Sequence, residues 1–268
     1  MRMRAKLGVV TGALALSALA FPADQATAVE SSQPTVSDVV VNGGKPIVAG
    51  TGSVTFEVSL NASHPTGVKA AELDLFRGLG SWLLVDDTNG VSWLDCTPVS
   101  ATTSHCEGTI TGYVVGKDHA TGDHNVNVLY SNGQAGTWDV RVGAVAGDDS
   151  RLWNENFATH KVLRQSVLTV NASPEPIRKG RTLTVTGKLT RADWAKDSYV
   201  ALANQYVKLQ YKKKGATSWT TLKTIKSAST GVLKTTTTAT YDGSYRFVYA
   251  GATTTSSVTS REDFVDVQ

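Results

Sequence analysis

Gly136-Thr137-Trp138-Asp139-Val140-Arg141-Val142 and Gly243-Ser244-Tyr245-Arg246-Phe247-Val248-Tyr249 share one layout. A glycine is followed two positions on by an aromatic residue, and apolar residues then recur at every second place. A two-residue period puts alternate side chains on opposite faces, so each stretch reads as a strand with one buried face. The recurrence reads as two related β-sandwiches. Working outward, Val54, Phe56, Val58 and Leu60 keep the same period, as do Leu73 with Leu75 and Val126 with Val128. Later come Leu183, Val185 and Leu189, then Val207, Leu209 and Tyr211. The β-branched runs Thr235 to Thr238 and Thr253 to Thr255 disfavour helix. Short strands with frequent turn residues mean a sandwich or barrel. Lys212-Lys213-Lys214-Gly215 lies between the strand ending at Tyr211 and an apolar series at Trp219, Leu222 and Ile225, which reads as a hairpin with a basic tip.

The character of the chain changes near residue 166. All five histidines and both cysteines precede it. Residues 29–165 carry 8 Lys and Arg against 15 Asp and Glu, whereas residues 166–268 carry 15 against 7. The expected division is an acidic domain over 36–165 and a basic domain over 166–268, with 29–35 as a flexible lead. Opposed charges of this kind suit an anionic partner for the basic half and cations for the acidic half; solubility, or attraction between the domains, is the simpler account.

Residues 1–28 have the layout of a signal peptide. Arg2, Arg4 and Lys6 form a positive head, residues 7–21 are almost wholly apolar, and Ala26-Thr27-Ala28 is a small-x-small cleavage pattern. The apolar run is shorter than the roughly 20 helical residues needed to cross a membrane. The product is expected to be exported and released, beginning at Val29. Cys96 and Cys106 would then form a disulfide in an oxidising compartment. A loop this short contributes about 3 kcal/mol at most in the chain-entropy model.

No catalytic constellation emerges: the sequence lacks a Gly-x-Ser-x-Gly elbow, a His-Glu-x-x-His helix and a phosphate-binding glycine loop. An enzyme is not expected. Asp118, His119, Asp123 and His124 could hold a divalent ion on a turn, against the simpler reading of a polar hairpin. Calcium is the candidate cofactor, with Asp148 and Asp149, and Asp86 and Asp87, as carboxylate ligands on extracellular loops. Solvated surface carboxylates are the competing account. Trp194, Tyr199 and Tyr206 fall in a polar connection between strands, where aromatic faces can stack on sugars or cover a small satellite core.

Val167-Leu168-Thr169-Val170-Asn171-Ala172-Ser173-Pro174-Glu175-Pro176, Lys179-Gly180, Leu183 to Thr190, Trp194, Gln205 to Gln210 and Asp242 to Arg246 resemble the immunoglobulin-like module of secreted actinobacterial proteins. Within it, Asp242-Gly243-Ser244-Tyr245 resembles a tyrosine corner, in which Tyr245 would bond back to the main chain. Val39 to Pro46 and Ala135 to Trp138 resemble the domain preceding that module. The resemblance implies two immunoglobulin-like β-sandwich domains in tandem after a signal peptide. Some such proteins carry a calcium-binding label.

The function expected is that of a non-enzymatic binding or structural protein of the cell envelope or medium. Its partner would be an anionic cell-wall polymer or polysaccharide engaged by Trp194, Tyr199, Lys212, Lys213 and Lys214, with no nucleic acid. The alternatives are a polysaccharide-binding hydrolase accessory, and a protease-inhibitor-type module presenting the Cys96–Cys106 loop.

Overall fold

The alternating apolar residues become strands throughout the chain. The computed structural model describes residues 32–78, 80–86, 93–117 and 125–268. The leader reading for 1–28, together with Asp87, Asp118, His119, Asp123 and His124, lies outside them. The strands before residue 165 are β1 (Thr35–Val41), β2 (Ile47–Ala49), β3 (Gly52–Ser63), β4 (Val68–Arg77), β5 (Ser81–Leu83), β6 (Asp95–Pro98), β7 (Thr103–Val114), β8 (Asn125–Val126), β9 (Val128–Leu129), β10 (Gly136–Ala146) and β11 (Arg151–Arg164). One sheet runs β1-β3-β7-β6 with β9 on β7, and the other β2-β11-β10-β4-β5-β8. Phe56, Val58 and Leu60 of β3 meet Leu73 and Leu75 of β4 and Trp138, Val140 and Val142 of β10 in one buried cluster. The indole N–H of Trp138 donates to Gln134 O at 2.7 Å, so this large ring is buried without an orphaned donor.

After Gln165 follow β12 (Ser166–Leu168), β13 (Asn171–Ser173), β14 (Thr182–Asp193), β15 (Ser198–Ala201), β16 (Tyr206–Lys213), β17 (Thr220–Lys226), β18 (Val232–Thr238), β19 (Gly243–Tyr249), β20 (Val258–Thr259) and β21 (Asp263–Val265). One sheet gathers β12, β13, β15 and β18 on β14; the other runs β17-β16-β19-β20 with β21 on β19. Leu183, Val185, Leu189, Val207, Leu209, Tyr245, Phe247 and Tyr249 form the second buried cluster. The fold is all-β, two pairs of sheets in succession. The two matching stretches, β10 and β19, each lie inside their sheet, and their inner faces are apolar because they pack into the two buried clusters. Gly243 is glycine because a Cβ there would lie 2.5 Å from both Lys212 O and the Tyr211 ring.

Three expectations are corrected. Val126 is exposed and Val128 only half-buried, because Asn127 between them takes a left-handed φ of 56° and breaks the alternation. Its side-chain amide is bonded both ways to Leu84, accepting from Leu84 N at 2.7 Å. The corner hydroxyl is Tyr211's and not Tyr245's: Tyr211 donates to Tyr241 O and Asp242 O at 2.9 and 3.1 Å. Tyr245 packs beside it, with ring centroids 5.0 Å apart, and burial pushes its hydroxyl up to about 12.

Trp194 is the third. It belongs neither to a long polar connection nor to a satellite core; it follows β14 directly, is fully buried, and joins the cluster of the first half. Its Nε1 donates to Ala49 O at 3.2 Å and its main-chain N to Asn132 Oδ1 at 3.0 Å. Residues Ser32–Gln268 form one unit. Gln165 lies between β11 and β12 and is held on both sides, its N–H by Ala49 O and its carbonyl by Ala192 N.

Candidate functional site

The β16–β17 hairpin and the turn before β19 bring basic residues to one cleft. It holds about 400 Å³ and is lined by Lys179, Lys213, Lys214, Tyr241, Asp242 and Gln268, among others. Lys213 Nζ lies 4.0 Å and Lys179 Nζ 5.1 Å from the centroid of the Tyr241 ring. A cation over an aromatic face gains about 0.5–1 kcal/mol when exposed, enough to bias a lysine's position without neutralising it. Among the described residues, neither Lys179 nor Lys213 has a carboxylate oxygen within 4.0 Å.

The walls of the cleft are built by main-chain bonds. Tyr211 pins the Tyr241–Asp242 carbonyls, Lys214 N donates to Asp242 O at 2.8 Å, and Lys179 N donates to Gln268 O at 2.8 Å. Asp242 closes one end. Its Oδ1 accepts from Val267 N at 2.9 Å and its Oδ2 meets Lys214 Nζ at 3.3 Å. The Val267 bond, with help from Lys214, holds this carboxyl below the usual carboxylate range. Three lysines thus line the cleft with one side-chain carboxylate, Asp242, that is already engaged, an arrangement suited to an anion.

The sequence-derived site residues meet different fates. Lys213 and Lys214 line the cleft. Lys212 points elsewhere, paired with Glu262 Oε1 at 3.0 Å and lying 4.7 Å from the Trp219 ring. Trp194 has no free face to offer a ligand. Tyr199 is exposed, but its hydroxyl donates to Gln165 Oε1. Asp148 Oδ1 accepts from Ser150 N and Oγ at 3.1 and 2.7 Å, and these bonds hold its carboxyl low. Asp149 pairs with Lys69 at 2.7 Å, and Asp86 accepts from Thr111 N and Oγ1 at 2.9 and 2.6 Å. These three carboxylates are engaged separately, and no group of three His, Cys, Asp or Glu able to hold a metal ion occurs among the described residues. Cys96 and Cys106 form a disulfide between directly paired positions of β6 and β7.

Two features escaped the sequence reading. Tyr241 and Lys179 are distant in sequence from the lysine tip, and the turn at Asp242 was read only as a tyrosine corner. The other feature lies on the outer face of the β10 sheet. Arg141 is inserted between Trp82 and Trp153, its Cζ 4.7 and 4.5 Å from their ring centroids. It also pairs with Glu72 at 3.0 Å and with the fully buried Asp74. Gly143 makes room for Trp153, since a Cβ there would sit 2.9 Å from the indole. Beyond Trp153 a groove of about 250 Å³ is lined by Trp93, Arg151, Leu152 and the Gly143–Val145 stretch. Trp93 and Trp153 are 40% and 52% exposed.

No family model and no curated protein matches this chain. Among solved structures it is similar to the dimeric latent PorU of Porphyromonas gingivalis, at 10% identity and a TM-score of 0.27, over 91% of this chain and 21% of that one. It is also similar to the D00-D0 domain of intimin, at 15% identity and a TM-score of 0.28, over 85% of this chain and 98% of that one. The Yersinia pseudotuberculosis adhesin InvE matches at 15% identity and a TM-score of 0.26, over 87% of this chain and 58% of that one. This chain therefore spans about a fifth of the PorU chain. Likenesses at this level carry no argument about function.

Proposed function

We propose that this chain is an exported, non-enzymatic binding protein whose cleft at Tyr241 holds an anionic polymer of the cell envelope. The observation that carries this reading is the placement of Lys179 and Lys213 on one exposed tyrosine ring, neither with a carboxylate oxygen within 4.0 Å among the described residues. The +8 balance of residues 166–268 draws polyanions towards that surface, and the leader-like residues 1–28 support export. A second reading, polysaccharide binding by stacking, is favoured by the two exposed indoles flanking the Trp93–Trp153 groove.

One experiment separates them. Co-sedimentation of the protein with a phosphate-rich wall polymer and with an uncharged glucan is compared at low and high salt. Binding to the anionic polymer should fall steeply with salt. It should weaken about tenfold in a Lys179→Gln/Lys213→Gln variant, as expected on losing charged hydrogen bonds. Equal binding by that variant overturns the cleft. Salt-insensitive binding to the glucan, lost in Trp153→Ala, establishes the second reading instead.

A further inference from the structure

Where β11 gives way to β12, two arginines lie without a carboxylate oxygen within 4.0 Å among the described residues. Arg164 closes β11 and is 6% exposed; Arg191 of β14 pairs with Ser166 and is half-buried. Both lie against the same short segment. Arg164 N donates to Thr254 O, Arg164 O accepts from Ser256 N, and Arg191 Nη1 reaches Thr255 Oγ1 at 3.4 Å. The Nε of each arginine is buried with no hydrogen-bond partner. Among the described residues neither guanidinium has a carboxylate oxygen within 4.0 Å; Asp193, which accepts from Asn132 Nδ2 at 2.7 Å, acts on Arg164 only at longer range. Burial, and after it the nearby Arg191, push the Arg164 pKa below its ordinary value, against the opposing pull of Asp193.

A buried charge is tolerated when it is paired and hydrogen-bonded, and removing its partner costs several kcal/mol. Arginine's planar fork is matched to oxyanions, which can accept from two N–H groups at once. We infer that Arg164 and Arg191, with the Thr255 hydroxyl, form a binding site for a small oxyanion bearing at least two acceptor oxygens, a phosphate, sulfate or carboxylate group. Arg191, the more exposed of the two, is the entry side, so the ligand is a free anion or the end group of a larger molecule and not the interior of a polymer. Bound there, it would neutralise the repulsion at the junction where Trp194 and Gln165 join the two halves. This site uses none of the cleft lysines and stands or falls separately from the proposed function.

The test is thermal unfolding of the protein at neutral pH and constant ionic strength in chloride, inorganic phosphate, sulfate or acetate, with calorimetric titration of the same anions. Stabilisation should be saturable, a Tm rise of roughly 5 °C at a hundredfold excess over Kd. The phosphate and sulfate arms against the acetate arm identify the acceptor geometry. Arg191→Gln should lose the anion-dependent rise, yet unfold at or above the wild-type temperature in chloride, because like-charge repulsion is relieved. A purely structural arginine would lower Tm in every buffer. The Lys179→Gln/Lys213→Gln variant should keep the full rise. No saturable shift with any of the three anions, or an unchanged shift in Arg191→Gln, overturns the site.

Discussion

Arg141 in the first half and Lys213 in the second both rest on aromatic rings, yet they do opposite things. Arg141 lies between two indoles with Glu72 and Asp74 beneath it, so its charge is spent inside the molecule. Lys213 and Lys179 share a ring and, among the described residues, neither has a carboxylate oxygen within 4.0 Å. The difference teaches that an aromatic face only places a cation. The carboxylates around it decide whether the charge is structural or available to a ligand. Arg164 lies between these cases, buried like Arg141 and unneutralised like Lys213.

Breaking the closed cluster should have the largest effect. Arg141→Met leaves the buried Asp74 carboxylate without its cation, and removing one partner of a buried pair costs about 3–5 kcal/mol. Urea unfolding at pH 7 should show that loss; a change under about 1 kcal/mol would mean the pair is effectively solvated.

A pH-dependent effect is expected at Glu72. Burial, reinforced by the neighbouring Asp74, pushes its carboxyl up to about 8 against the pull of Arg141. A proton there faces Asp74, whose Oδ1 is otherwise buried without a partner. The folded state therefore holds a proton that the unfolded chain releases near its ordinary value of about 4.5. Stability from this group is complete at low pH, falls as pH rises from about 4.5 to about 8, and is then level. Glu72→Gln should flatten that fall when unfolding is followed across the same range. An identical pH profile in the variant would show that Glu72 titrates normally.

The smallest effect belongs to the open cleft. Lys213→Gln touches an exposed group without a carboxylate partner and should move stability by no more than about 0.5 kcal/mol while weakening polyanion binding. A larger loss of stability, read in the same urea assay, would make Lys213 a structural partner of Tyr241 and erase the contrast with Arg141.

The strands were legible because a two-residue period needs only neighbouring residues to be seen. Phe56, Val58 and Leu60 are buried where alternation placed them, and Trp138 and Tyr245 occupy matching inner positions of β10 and β19. The reading failed at Asn127, where one left-handed residue resets the period, and at Trp194, whose burial depends on Ala49 and Asn132 far away in sequence. At the corner, Tyr211 faces Tyr245 across the β16–β19 pair, so either phenol was placed to reach the turn. Composition does not say which one does. Lys213 and Lys214 stood out as a basic tip. Lys179 and Tyr241 did not, because they reach the tip only through the β16–β19 pairing and the bonds tying residues 177–179 to 266–268.

By itself the sequence determined an all-β chain with two similar central strands, a disulfide-competent cysteine pair and a basic second half, since periodicity, cysteine spacing and charge are properties of the chain read along its length. Only the tertiary structure decided which cations meet a carboxylate and which do not. That outcome depends on carboxylates and rings brought within a few ångströms by strands far apart in sequence, and the strength of each pairing falls away with distance and exposure to water.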